Sequence, residues 1–454
     1  MTTQKIDRWE TRLSEAFDAL WDLFVDPREA YLDDTGQMWN SLSVGGYPSP
    51  RASAPFANEG DLTEVRRQVR HLVSTNEFAI NGIENRVSYL VGSGHVYRAC
   101  VRKGVDAPAA LEADVQEVID EFLLVNRWQS RQQEIVRRLD RDGEVFLRMF
   151  VDHEGVTRVR FVEPDQVTTP QELVNVPEAS FGIHTERHDV ETVLGYYIDS
   201  QPVDADEIQH RKANVDANVK RGLPLYYPVR KNLRRIEKLL RNMSVVAEIQ
   251  SAIALIRKHR HASRSGVEQF VVDQSQHANV GGRSRYLSQY APGTILDAPT
   301  GVEYDFPAQG IDASNFVAVL QAELRAVAAR LVMPEFMFTS DASNANYAST
   351  LVAEGPAVKM FERLQGTLKN DDRDLLWRVI TRAVAAGRLP AEVHRWVDIQ
   401  ITPPSLEVRN SLQQAQVEKI AYEKGILSPQ TWSLKLGLDY DQEQKNLAMH
   451  SGSE

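Results

Sequence analysis

The chain has 454 residues, 42% hydrophobic and 25% charged, with a formal net charge of −11. That size and balance read as a folded, soluble protein of roughly two to four domains, or one large layered domain. The acidic balance disfavours nucleic-acid binding by the whole surface. The single cysteine, Cys100, excludes disulfides within the chain and any multi-cysteine metal site. No apolar run is long enough to span a bilayer, and the opening Met1-Thr2-Thr3-Gln4 carries no signal-peptide pattern, so folding in a cytoplasm is expected.

Residues 7–25 are predicted to form an amphipathic helix with Trp9, Leu13, Phe17, Leu20/Trp21 and Phe24 on one face. It reads either as packing on its own core or as an arm docking onto a neighbouring subunit. Residues 26–60, with Gly45-Gly46, Pro48, Pro50 and Pro55, are loop-like, and long for a compact domain. Helical spacing covers 61–90 (Leu62, Val65, Val69, Leu72, Ile83, Val87, Leu90), closes at Gly92-Ser93-Gly94, and resumes over 109–140. At Asp142-Gly143 the period changes. Residues 144–151 and 157–163 are predicted strands joined by an Asp152-His153-Glu154-Gly155 turn, and strand-like segments continue to 194–198.

Arg221-Gly222-Leu223-Pro224-Leu225 leads into a long predicted helix, 229–259, whose apolar residues are Leu233, Ile236, Leu240, Met243 and the run 249–256. Its first turns carry Arg230, Lys231, Arg234, Arg235, Lys238 and Arg241, and its end carries Arg257, Lys258, Arg260 and Arg264. Cations at a helix C-terminus are favourable in themselves, which accounts for the second group. In an acidic chain both groups also mark this helix as the candidate for DNA phosphates or an acidic neighbour. Residues 262–310 are a polar, Gly-rich insert, with 293–297 and 302–306 expected to form a β-hairpin that finishes folding against another chain.

A second helix follows, with Asp312 as N-cap and Phe316, Leu320, Leu324, Val327/Ala328 and Leu331 on one face, ending at Met333-Pro334. The polar stretch 338–347 has almost nothing to bury. A longer helix carries Phe361, Leu364, Leu368, Leu375/Leu376, Val379 and Val384, with a kink expected at Gly355-Pro356. Residues 396–403 read as a strand, and 413–423 and 428–436 as terminal helices.

No catalytic constellation emerges. There is no Gly-Lys pair for a phosphate loop and no Gly-x-Ser-x-Gly elbow. His184 and His188 flank Glu186, but zinc hydrolases need the glutamate directly beside a histidine, so solvated histidines are the simpler reading and a metallohydrolase the remote one. Asp371-Asp372 and Asp439/Asp441 read as caps or solvated faces, and His259 and His261 as a charged helix end. Tyr226, Tyr227 and Tyr347 show no stacking-platform spacing. No cofactor or metal is expected.

Leu331-Val332-Met333-Pro334-Glu335-Phe336, followed by Ser340-Asp341-Ala342-Ser343-Asn344-Ala345-Asn346-Tyr347-Ala348-Ser349, resembles the stretch after the stem of tailed-bacteriophage portal proteins of the HK97/lambda-like kind. Residues 143–150 with 159–167, containing Glu163-Pro164-Asp165, are similar to that family's wing strands. Arg221-Gly222-Leu223-Pro224 resembles the turn opening its first stem helix. Gly425-Ile426-Leu427-Ser428 with Gly437-Leu438-Asp439-Tyr440 is similar to its C-terminal region. The resemblance spans about 60–445.

It implies a mainly helical α+β portal fold assembled as a ring, expected to be dodecameric, around an axial channel. The implied divisions are an N-terminal helix and arm (1–60), wing (61–222), first stem helix (223–262), clip (263–310), second stem helix (311–333), tunnel loop (334–350), wing spine helix and strand (351–404) and C-terminal crown region (405–454). It further implies no enzymatic activity and a place at one capsid vertex of a virion assembled in the host cytoplasm. Double-stranded DNA would enter there, driven by the large terminase subunit, and later leave. A head-tail adaptor, the major capsid protein and a scaffold complete the implied partners, with no membrane. The DNA-facing loop candidates are then Thr339, Ser340, Ser343, Asn344, Asn346 and Tyr347, uncharged groups that touch a polyanion without a deep electrostatic trap. The basic stem candidates are Arg230, Lys231, Arg234, Arg235, Lys238, Arg257, Lys258, Arg260 and Arg264. A neck adaptor or scaffold protein is the alternative.

Overall fold

A computed structural model describes Phe56, residues 58–102, 104–258, 278–280, 283–285, 294–298, 313–341, 347–406 and 411–435, with a few positions between 440 and 448. The expected helix 7–25, the arm to residue 55, Asp312 and the strand 302–306 lie outside these residues.

Two helices open the described chain, α1 (Glu59–Thr75) and α2 (Glu77–Leu90), over the span of helical spacing. Asn76 divides them. Its backbone is extended, and its side chain accepts from the amides of Phe78 and Ala79, so it caps α2 instead of continuing α1. Strand β1 (Val96–Val101) follows, then α3 (Leu111–Asn126) and α4 (Trp128–Asp142), parted by Arg127 in the left-handed region at φ 48°. Strands β2 (Glu144–Val151) and β3 (Thr157–Val162) form the expected hairpin, with Val151 opposite Thr157 and Gly155 at φ 81° in the turn. Next come β4 (Ile183–Glu186), β5 (Asp189–Ile198), β6 (Gln201–Asp204) and β7 (Ile208–Lys212). Two three-stranded sheets result, β3-β2-β7 and β4-β5-β6. Their shared core is Phe146, Val162, Val167, Ile183, Tyr196, Ile198, Val203 and Ile208.

Helix α5 (Arg230–Ala252) then gives way to strand β8 (Ile253–Lys258). The insert contributes β9 (Ala278–Val280), β10 (Arg283–Arg285) and β11 (Thr294–Ala298). Helices α6 (Ala313–Leu331), α7 (Glu335–Thr339) and α8 (Tyr347–Ala385) follow. A short turn of helix, α9 (Val393–Trp396), leads to β12 (Val397–Thr402), and α10 (Ser411–Glu423) and α11 (Pro429–Lys435) end the described elements.

The chain divides into two compact units. One contains Lys231–Ala326, and the other contains the described residues up to Arg230 and from Val327 onward. In the first, the predicted helix to 259 stops at Ala252, and β8 pairs in parallel with β11, so Ile295 lies opposite Leu255 and Ala298 opposite Lys258. A short apolar run such as Ile253-Ala254-Leu255-Ile256 fits helix or strand equally well, and a partner about forty residues away decides it. Residues 294–298 thus gain β8 as a neighbour, and the expected hairpin partner 302–306 lies outside the described residues.

In the larger unit, β1 and β12 pair antiparallel from Val96↔Thr402 to Val101↔Val397. Helix α8 packs on α2, α3 and β12. Its buried face is Phe361, Leu368, Leu375, Leu376, Val379 and Ile380. It runs unbroken through Gly355-Pro356. Pro356 leaves only the carbonyl of the exposed Val352 without its helical donor.

Two buried polar clusters organise this unit. Glu144 is fully buried and takes Arg66 Nη2 at 2.5 Å, Arg221 Nε at 2.8 Å, the Gly222 amide at 2.8 Å and His210 Nε2 at 3.1 Å. Burial works to raise its pKa, but Arg221, Arg66 and the His210 hydrogen bond hold it well below the usual carboxylate range. Burial pulls Arg66 down to about 10 and lowers His210, which stays neutral as a donor. Arg221 also donates to the carbonyls of Pro164, Val167 and Phe181. In the second cluster, Asp372 accepts from Tyr97 Oη at 2.6 Å, Gln132 Nε2 at 2.8 Å and Arg211 Nη2 at 2.9 Å. The expectation of a solvated Asp371-Asp372 pair therefore fails for Asp372, which α8 turns inward against β1 and α4.

Glu144→Ala strands two buried guanidinium groups and is expected to cost about 3–5 kcal/mol in chemical denaturation. Removing the exposed Arg67–Glu64 pair should leave the midpoint unchanged. Equal effects would show that Glu144 is no hub. Because the Glu144 pKa is depressed, its contribution is complete above the ordinary value of 4.5 and is lost as pH falls through the folded value. Asp371 behaves oppositely. Burial raises it from 3.8 to about 6, so its ionisation opposes folding above pH 6 and the penalty vanishes below 3.8. Asp371→Asn should therefore melt higher than the parent at pH 8, with the gap closing toward pH 4.

Candidate nucleic-acid interface

The polar stretch between α6 and α8 begins with an abrupt stop. Val332 enters the left-handed region at φ 53°, its amide bonds the Ala329 carbonyl at 3.1 Å, and the Met333 amide bonds the Ala328 carbonyl at 3.1 Å. This double bond pattern is the usual glycine-type helix ending, here imposed on a β-branched residue. Pro334 then caps α7.

Phe338 is completely buried and plugs α7 into the protein. Its ring centroid lies 5.9 Å from that of Phe78, and it also lies beside Gly82. A Cβ on Gly82 would collide with the Tyr226 hydroxyl and Leu331, so this close seat requires glycine. Ser340, at φ 59°, ends α7.

Of the loop candidates, Thr339 and Ser340 are described, and they differ. The Thr339 hydroxyl donates to the Glu335 carbonyl at 2.9 Å and accepts from the Asp341 amide at 3.3 Å, so it serves its own turn. Ser340 is exposed. Tyr347 is the first residue of α8, and Ser343, Asn344 and Asn346 lie outside the described residues.

The basic candidates also separate. Arg230 is buried. Its guanidinium sits 4.1 Å from the Tyr227 ring centroid, donates to the Tyr227 carbonyl, and donates to Gln68 at 3.2 Å. That is a structural placement, and it takes Arg230 out of the exposed cation set. Arg235 faces solvent but pairs with Glu323 of α6 at 2.9 Å, and Asn232 reaches the same carboxylate at 2.7 Å. Lys231 and Lys238 are half-buried, and Arg234 and Arg241 are exposed. Arg257 and Lys258 stand on β8, not on a helix end, and Arg260 and Arg264 lie outside the described residues.

His184 lies in β4 and His188, exposed at φ 69°, in the β4–β5 turn, so they share no helical face. Among the described residues, no three His, Cys, Asp or Glu gather as a metal would need. No helix among them is long and apolar enough to cross a membrane.

Sequence reasoning missed Asn81 and Asn85 on α2, which reach the carbonyls at the end of α7. Their one local signal is the i,i+4 repeat of asparagine, which does not say what the amides hold.

Residues 43–365 match the family model described as phage portal protein, lambda family. Among solved structures, the chain is similar to one in the virion of a native gene transfer agent particle, at 14% identity over 83% of this chain and 93% of that chain, with TM-score 0.44. It is similar to one in the neck of the native particle computed with C12 symmetry, at 15% identity over 86% and 96%, with TM-score 0.46. An HK97 family phage portal protein from Corynebacterium diphtheriae aligns at 12% identity over 77% and 97%, with TM-score 0.34. No curated protein matches. The family match takes in the wing-like strands, the Arg221-Gly222-Leu223-Pro224 turn and the polar stretch, and stops before the residues 425–440. Matched over well more than half its length, the chain belongs to the lambda family of phage portal proteins.

Proposed function

We propose that twelve copies of this chain form a ring around an axial channel at one vertex of a capsid. Double-stranded DNA is driven in through that channel by the large terminase subunit and leaves through it on infection. The role is structural and non-enzymatic. The observation that carries this reading is the family match over 43–365, which includes both stem-like helices and the polar stretch that follows the second. On this reading 61–222 and 351–404 are wing, and α5 and α6 are the helical parts of the two stem segments. Residues 263–310 are the clip facing the terminase and later the head-tail adaptor. Residues 334–350 are the tunnel loop, and 405–454 the crown region near the major capsid protein and scaffold.

The loop suits a conduit physically. Each phosphate neutralised by a cation adds roughly 0.9 to the salt dependence of binding, so a cationic ring would hold DNA where it should slide. Ser340, Ser343, Asn344 and Asn346 offer hydrogen bonds without that charge.

Two measurements test the reading. Electron microscopy of the purified full chain should show closed rings with a central channel. A chain that stays monomeric at high concentration would refute it. Ala345→Trp should still form rings but should lower packaged DNA in a complementation assay, because bulk is added where the channel is narrow. Unchanged packaging would place the loop away from the DNA.

A further inference from the structure

The end of α7 is held from outside by two amides. Asn81 Nδ2 donates to the Met337 carbonyl at 3.1 Å and to the Phe338 carbonyl at 2.7 Å. Asn85 Nδ2, one turn further along α2, donates to the same Met337 carbonyl at 2.8 Å and lies 3.4 Å from Asn81 Oδ1. A helix leaves its last carbonyls without internal donors, and a five-residue helix is almost all ends. Here the missing donors come from a segment more than 250 residues earlier in the chain.

The clamp is not generic packing. Phe338 alone would seat α7, but a ring in a socket leaves rotation about its own axis, and two directed amides remove it. Left-handed residues bracket α7 on both sides, Val332 at φ 53° and Ser340 at φ 59°, so the chain enters and leaves by sharp turns. Helix α2 is itself fixed. Arg86 binds Asp140 of α4 through two bonds, at 2.7 and 2.9 Å, and the Tyr226 hydroxyl donates to the Ala79 carbonyl at 2.9 Å. The direction in which the chain leaves α7 at Ser340 is therefore set by α2.

We propose that Asn81 and Asn85 are positioning residues for DNA passage. Their amides cap α7 and fix the root of the DNA-facing loop, separately from ring assembly. The assignment rests on the loop reading given above. It makes the exit of the loop a property of two side chains on another helix, which touch no DNA themselves.

The test uses Asn81→Asp with Asn85→Asp in the full chain. Aspartate has the same shape, but it replaces each donor with an acceptor facing a carbonyl. Rings should form as in the parent. Hydrogen exchange should rise in 335–346 and stay unchanged in α4 and β2. Packaged DNA should fall on the order of tenfold, the factor corresponding to losing roughly 1.4 kcal/mol of placement, about one hydrogen bond. Asn85→Gln, which keeps an amide donor, should recover part of the loss. Exchange rising throughout α2 and α4 with a lowered melting temperature would make the asparagines purely structural and overturn the proposal. Local exchange with normal packaging would overturn it too. In that case Ala345→Trp separates the causes: if that variant still blocks packaging, the loop reading stands and only the positioning role fails.

Discussion

One buried carboxylate sets the geometry of the larger unit. Glu144 begins β2 and binds an arginine from α1, a histidine from β7 and both the side chain and the backbone of the Arg221-Gly222 turn. A charge removed from water is tolerable only when its oxygens are filled, and here four donors fill them. The backbones of Gly143 and Gly222 meet so closely that a Cβ on either would overlap the other segment. The two glycines let the strand start and the turn touch, and the carboxylate locks them there. An apolar substitute of equal volume often folds as well, so the cost of losing Glu144 alone reflects the buried arginines it would leave unpaired rather than a net gain from the network. The Arg221-Gly222-Leu223-Pro224 motif thus has a physical content. Arginine supplies four polar contacts, glycine the close approach, and proline the fixed entry into the turn before α5.

From that hub a continuous set of directed contacts reaches the loop root. Asp142, at the end of α4, binds Arg70 of α1, and Asp140, two residues earlier, binds Arg86 of α2. The same α2 carries the asparagines that cap α7. Every link is buried or half-buried, where effective dielectric is low and a misplaced group is costly. The loop therefore begins from a rigid floor, even though its own sequence has little to bury.

Sequence periodicity served well where structure is local. The β2–β3 hairpin, the long helix after the loop and the strand near 397–402 repeat their apolar residues at the spacing the backbone demands. It failed where the deciding partner is remote. Asp372 looks like a solvated acid until Tyr97, 275 residues away, donates to it. Residues 253–258 look like the last turns of a helix until β11 supplies a parallel neighbour. Arg230 looks like the first of a cationic row, but Tyr227 and Gln68 enclose it. Asn81 and Asn85 look like ordinary helix polarity. In each case the side chain's role is fixed by what another part of the chain offers, and local spacing carries no trace of that.

The placement of Arg230 and Arg235 weakens the cationic row on α5. Read as free charges, the cations of α5 would make a stripe able to release counterions from DNA and grip it. With Arg230 enclosed and Arg235 bound to Glu323, the exposed set shrinks toward Arg234 and Arg241. Arg234 and Arg241 stand two turns apart on α5, about 10 Å along its axis, which is close to the screening length at moderate salt, so each acts largely alone. On a chain of net charge −11, such a surface offers a polyanion only weak, interruptible attraction. Under the proposed channel role, that combination suits passage better than retention, since a conduit fails as readily by holding its cargo as by excluding it.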